Sequence, residues 1–363
     1  MNKLPLLLLL LAGCPHHGHD DKKDATASPR PGLVDARARA PVADDGLPPA
    51  PPLPPVPAGL PPLPDTPALS AVTPDALALG TLLFYEPRLS AGGRLACATC
   101  HDPAHGYSGA IDNAADGKPN LRRTPALVNL AWATAFDWDG RYSSLDDLLP
   151  AHVHGQLGDA LEPAAIRLAE TPIYKAHFAR VGGAPQDAVR TALAAFVLTR
   201  YAGDAPWDRR EASARVPKPG VTPDPETAGY LLFTTKGQCA VCHTPPLYTD
   251  GGFHRIGKLG VPDEGRGRVD PSAKGAFKTP SLRGAAARAA LFHTGDTATL
   301  DAAVDFYRQL GASEAHARHP DLVDDAAATI QLSAAEGVQL VAFLRALSAP
   351  AAVPPPPKLP PAP

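Results

Sequence analysis

Cys97-Ala98-Thr99-Cys100-His101 and Cys239-Ala240-Val241-Cys242-His243 decide the fold. Two thiols three positions apart can each add to a haem vinyl group, and the next residue is then placed to ligate the iron. Of the five cysteines in the chain, all but Cys14 belong to these two pentapeptides. A zinc site would need its two cysteine pairs close together, usually about 15–20 residues apart; Cys100 and Cys239 are far more distant than that. Disulfides would leave the histidine after each pair unexplained. The pattern predicts two covalently attached c-type haems, held by Cys97, Cys100, Cys239 and Cys242, with His101 and His243 on the irons.

The chain repeats itself around these sites. Thr73-Pro74-Asp75, then Gly80, then Leu82-Leu83-Phe84 is matched by Thr222-Pro223-Asp224, Gly229 and Leu231-Leu232-Phe233 at the same spacing. Each copy reads as a helix with a threonine cap and proline at its first position, and each leads into its own pentapeptide. Apolar spacing predicts further helices over 145–149, 164–180, 187–201, 299–310 and 333–347. The last opens with a capping box, Ser333-Ala334-Ala335-Glu336. The expected fold is mainly α, with two cytochrome c-like domains in tandem, over 73–215 and 216–349.

Composition frames these domains. The chain has 363 residues, 44% hydrophobic and 20% charged, with net charge −3 and no long basic run. Wholesale disorder is excluded, and nothing points to a nucleic-acid partner. Of the 44 prolines, 14 fall between Pro29 and Pro67 and 8 between Pro350 and Pro363. Lys3, the apolar run Leu4 to Leu11 and Leu11-Ala12-Gly13-Cys14 describe a signal peptide over 1–13, too short to span a bilayer. It resembles a bacterial lipoprotein signal, which implies export to the periplasm and membrane anchoring through lipid on Cys14. Residues 14–72 then read as a tether. Its tract His16-His17-Gly18-His19-Asp20-Asp21 is a solvated segment, and its proline-rich part a semi-rigid spacer. Residues 350–363 read as a disordered tail.

The far side of each iron decides function. Electron-transfer cytochromes commonly use His and Met, but the only methionine is Met1. The candidates for a sixth ligand are another His, Tyr, Lys, or none.

The chain resembles the bacterial dihaem cytochrome c peroxidase family, and within it the MauG branch. The motifs are Leu82-Leu83-Phe84-Tyr85-Glu86-Pro87-Arg88-Leu89-Ser90, Cys97 to Asp102, Trp138-Asp139-Gly140-Arg141, Phe277-Lys278-Thr279-Pro280-Ser281-Leu282-Arg283 and Phe292-His293-Thr294-Gly295. The resemblance runs from about residue 75 to 347. It implies that Tyr307 is the distal ligand of the second haem, where the family's peroxidases mostly carry Met and MauG carries Tyr. It also implies that Trp138 lies between the haems, and that hydrogen peroxide reacts at the first haem, open or openable. The electrons then come from a small redox protein or from a protein substrate.

Three departures qualify the resemblance. The family's distal Gln and Glu fall here at Leu148 and Gly158, so a general base must come from elsewhere; His152, His154, Gln156 and Glu162 are the nearby candidates. The family's calcium site would meet Arg123 and Arg288, two cations that would repel the metal, so calcium is not expected. The tryptophan that MauG carries just ahead of its second haem motif is replaced by Lys236-Gly237-Gln238. The alternative function is a non-catalytic dihaem cytochrome, either an electron carrier or a redox sensor.

Overall fold

The computed structural model describes residues 46–110, 112–214, 220–258, 263–312, 321–349 and 355–361. The architecture is helical. The named strands are two residues each, β1 (Phe253–His254) paired antiparallel with β2 (Phe277–Lys278). Two apolar clusters form, one from residues between Ala76 and Leu198 and one from residues between Trp207 and Leu347. Cys14 and the histidine tract lie outside the described residues.

In the first cluster, α1 (Pro74–Phe84) begins as expected, with the Thr73 hydroxyl accepting from the Ala76 N–H and Pro74 at the first position. A short α2 (Cys97–Cys100) carries the first thiol pair. Next come α3 (Leu145–Leu157), α4 (Leu161–Ala169), α5 (Pro172–Val181) and α6 (Pro185–Leu198). The single helix predicted over 164–180 is two helices. Pro172 has no N–H to continue α4 and constrains Thr171 before it, so the chain turns and α5 starts on the proline. The helix predicted over 145–149 continues to Leu157 with Pro150 inside it, and ends where Gly158 takes a left-handed φ of 68°.

The second cluster is built on α7 (Pro225–Thr234), α8 (Leu300–Ala312) and α9 (Ala334–Ala346). The start of α7 corrects the sequence reading. Thr222 is not its cap; Asp224 is, accepting from the N–H groups of both Glu226 and Thr227, with Pro225 at the first position. A carboxylate two residues downstream, again followed by proline, outcompetes the threonine. The capping box of α9 forms as predicted, Glu336 N–H to the Ser333 hydroxyl and Ser333 N–H to the Glu336 carboxylate.

The glycine of each repeat has a packing reason. A Cβ on Gly80 would run into the Ala192 carbonyl and approach Phe196; one on Gly229 would run into the Gln339 carbonyl and approach Phe343. In both halves the first helix crosses the last at backbone contact, one turn before a phenylalanine. Phe84 stacks on Phe196 at 4.3 Å, and Phe233 meets Phe343 at 5.1 Å.

Both proline-rich segments depart from expectation. Residues from Leu47 onward are not a free spacer, because polyproline backbone leaves its carbonyls available to distant donors. Arg180 donates to the carbonyls of Leu47 and Pro48, Trp132 to Pro62, and Arg283 to Gly59. Nor is the tail disordered over 355–361: Arg88 donates to the carbonyls of Pro360 and Pro361, and Pro360 is buried.

Candidate functional site

Each pentapeptide presents its histidine in the same way. His101 Nδ1 lies 3.1 Å from the Tyr107 carbonyl, and His243 Nδ1 lies 3.2 Å from the Tyr248 carbonyl. A carbonyl can only accept, so Nδ1 carries the proton and Nε2 keeps its lone pair for a metal. Tyr107 and Tyr248 both hold left-handed φ, 55° and 53°, which is uncommon for a bulky residue. The same strained carbonyl therefore orients each imidazole. Burial lowers the affinity of both rings for a second proton, His101 to about 3, with His152 nearby adding to the effect, and His243 to about 4. Burial also pushes the thiols up, Cys97 and Cys239 to about 12 and Cys100 to about 11.

His101 opens onto a cavity of about 720 Å³ whose apolar wall includes Phe84, Leu149, Leu193 and Val197. His243 opens onto a narrower cavity walled by Phe233, Leu282, Leu340 and Leu344. Arg123 and Arg288 reach both. Their guanidinium groups donate to backbone carbonyls, Arg123 to Phe292 and Thr124, and Arg288 to Ser281 and Arg283. Neither has a carboxylate partner among the described residues. Burial, with Arg288 close by, lowers Arg123 to about 9, and burial lowers Arg288 to about 10, so both stay cationic near neutrality. Apolar walls, a thiol pair, a free imidazole nitrogen and unpaired buried cations fit a haem, whose two carboxylates need cationic partners. The same cations do not fit calcium, which requires oxygen ligands.

Trp138 lines both cavities and is 7% exposed. Its Nε1 donates to the Arg123 carbonyl at 2.9 Å, and the Arg123 guanidinium lies over its ring at 4.9 Å. Arg122 ties Asp139, beside the tryptophan, to Asp263 of the second half, with N–O distances of 2.9 and 2.6 Å. Lys278 donates its backbone N–H to the Trp138 carbonyl. Its buried amine, lowered to about 8 by desolvation, reaches both cavities. Sequence reasoning had not singled out Lys278 as a cavity residue, nor the carbonyls of Tyr107 and Tyr248. The shared offset of a tyrosine five or six residues past each histidine was the available signal.

Tyr307, on α8, lines the second cavity. Its ring packs against Phe292 at 5.9 Å and Phe306 at 5.4 Å, and its hydroxyl has no hydrogen-bond partner among the described residues. Burial, with Cys239 and Cys242 close by, raises its pKa well above the usual phenol value. Across the first cavity, His152 comes within 6.2 Å of His101, ring centre to ring centre. Gln156 shares that wall, accepting from Asn120 Nδ2 at 3.0 Å. The other two proposed bases do not reach the cavity. His154 points to solvent two residues beyond His152, on the opposite face of α3, and Glu162 is exposed in the first turn of α4. Leu148 lines the cavity where the family's Gln would lie. At Gly158 the left-handed φ of the helix end would strain a glutamate.

Comparison with known proteins agrees with this geometry. The sequence profile of the di-haem cytochrome c peroxidase family matches residues 74–214. The methylamine utilization protein MauG of Methylorubrum extorquens is 37% identical over 295 residues, covering 78% of this chain and 81% of that protein. A cytochrome-c peroxidase of Denitromonas iodatirespirans is 30% identical over 353 residues, covering 86% and 89%. Among solved structures, a MauG-like protein associated with microbial copper homeostasis superposes with a TM-score of 0.69 at 22% identity, over 85% of this chain and 97% of that one. The dihaem peroxidase BthA of Burkholderia thailandensis gives 0.62 at 22% identity, over 79% and 89%.

Proposed function

The chain belongs to the dihaem cytochrome c peroxidase family, in its MauG-like form, and from that premise we propose that it reduces hydrogen peroxide at the haem held by His101 and withdraws electrons from a protein partner through the haem held by His243. The observation that carries this reading is the asymmetry of the two cavities. An unpartnered phenol oxygen faces the His243 cavity, whereas a roomy cavity with a histidine on its far wall faces His101.

Two covalently attached c-type haems supply the iron redox chemistry; the rest is done by side chains. Cys97 and Cys100, and Cys239 and Cys242, tether the two groups. His101 and His243 hold the irons, each oriented by a tyrosine carbonyl. Tyr307 closes the second site, and a phenolate ligand favours ferric iron and lowers the potential relative to methionine. Arg123 and Arg288 neutralise the haem carboxylates in place of calcium. Trp138, in the wall common to both cavities, is the conduit for electrons. The guanidinium over its face disfavours positive charge on the indole, so Trp138 passes an electron rather than storing the hole. In the absence of the family's Gln and Glu, proton transfer falls to His152 and the Gln156 wall. Leu11-Ala12-Gly13-Cys14 supports export to the periplasm and a lipid anchor.

Stoichiometric peroxide added to the diferric holoprotein tests the reading. The spectra of both haems should change together, and Trp138→Phe should slow the change at the second haem at least tenfold while leaving the first step intact. Spectra inert to peroxide would overturn it.

A further inference from the structure

We infer that Gly59, in the proline-rich strap over residues 47–62, is a positioning residue for the haem held by His243: through Arg283 it secures the carbonyl that orients His243, and so sets the reduction potential of that haem. The inference rests on the reading that His243 carries the second haem, and is independent of what the first haem does with peroxide.

The contacts start at the histidine. The Tyr248 carbonyl accepts from His243 Nδ1 at 3.2 Å and from the Leu282 N–H at 3.1 Å. Neighbouring residues hold the same two segments together. The Ser281 hydroxyl donates to the Leu247 carbonyl at 2.6 Å, and Arg283 Nε donates to the Pro246 carbonyl at 2.7 Å. The Arg283 guanidinium also lies over the Tyr248 ring at 5.3 Å. The carbonyls of residues 246 to 248 are thus all held from residues 281 to 283.

Arg283 is held in turn by the strap. Its side chain and that of Asp208 are wholly buried and paired through two N–O contacts of 2.8 Å. The Gly59 carbonyl is the remaining partner, accepting from Nη2. Gly59 has a left-handed φ of 81°, and a Cβ there would run into the Asp208 carboxylate. Only glycine brings this carbonyl onto the guanidinium without displacing Asp208. Contacts on either side keep the strap in place, from the Asp204 N–H to the Ala58 carbonyl at 2.8 Å and from Trp132 Nε1 to the Pro62 carbonyl at 3.0 Å. Proline-rich backbone suits the task, since its carbonyls have no partners of their own.

The His101 side lacks this backing. The Tyr107 carbonyl likewise accepts from His101 Nδ1 and from the Leu127 N–H, and Arg200 lies 5.9 Å from the Tyr107 ring. Arg200, however, donates to Phe196 and Thr199 beside it in the chain, and no strap carbonyl reaches it among the described residues.

A carbonyl that accepts from Nδ1–H makes Nε2 more basic, which stabilises ferric iron and lowers the potential. With the strap lifted from Arg283, water replaces the Gly59 carbonyl and the guanidinium loosens its hold on Pro246. The Tyr248 carbonyl then recedes from His243, and the potential of that haem rises.

Redox titration of the full-chain holoprotein, each haem followed by its own electron paramagnetic resonance signal, tests this. Gly59→Ala, at two haems per chain, should raise the potential of the His243 haem by about 30 mV or more, about a threefold change in equilibrium constant. The His101 haem should not move. Asp208→Asn, which keeps the shape but weakens the hold on Arg283, should act in the same direction, and it carries the test if Gly59→Ala fails to mature. Arg180→Ala, which frees the strap only at Leu47 and Pro48, should move neither potential. Unchanged potentials in Gly59→Ala and Asp208→Asn, or equal shifts of both haems, would overturn the inference and leave the two-haem reading intact. A wild type with a single haem would instead overturn that reading.

Discussion

The halves built around His101 and His243 share their anchoring side and differ on the opposite one. In both, a helix crosses the last helix of its half at a glycine, a thiol pair leads into a histidine, and a left-handed tyrosine carbonyl orients that histidine. Across the cavity the likeness ends. One half offers Tyr307 from the helix after the Phe292-His293 motif, and the other offers His152 from a helix interrupted by proline. The repeat keeps the side that presents the histidine and differs in the side chains that complete each cavity.

The largest effects should come from breaking the shared side. Cys97→Ala with Cys100→Ala, and separately Cys239→Ala with Cys242→Ala, should each leave one haem where the wild type has two, measured by pyridine haemochrome assay and intact mass. Retention of two haems in either would break the equivalence of the anchors. Next come the helix crossings. Gly80→Val and Gly229→Val each force a side chain into a carbonyl, and each should cost about 2–3 kcal/mol of stability or more, read by denaturant unfolding. A large effect in one half only would show that the crossings are not equivalent.

The differing side gives subtler changes. Tyr307→Phe should convert the second haem to high spin, whereas Tyr307→His should keep that haem low-spin. An unaltered ferric spectrum in Tyr307→Phe would reduce Tyr307 to a packing residue. The smallest expected effect is none: chelators should leave spectra and activity unchanged, because Arg123 and Arg288 occupy the space between the cavities. A chelator-sensitive loss restored by calcium would contradict that substitution.

The sequence announced much of this. Cysteine spacing picked out the two histidines that open onto the cavities, and the repeated glycines fall at the two helix crossings. The start of α7 was misplaced because Thr222-Pro223 and Asp224-Pro225 are both plausible openings, and only competition for the same N–H groups chooses between them. The approach of His152 to His101 was illegible for another reason. It depends on how α3 continues past Pro150, which fixes which of His152 and His154 faces inward. The docking of the proline-rich segments left no pattern at all, since it joins main-chain carbonyls to arginines and a tryptophan far away in sequence.

The central claim is a division of labour, with peroxide chemistry at the His101 haem and closure by Tyr307 at the other. Peroxide consumption by the two single-haem proteins tests it most directly. The protein retaining only the His243 haem should be inert to peroxide, and the protein retaining only the His101 haem should still react with it. Peroxide consumption by the His243 haem alone, with Tyr307 intact, would contradict the account.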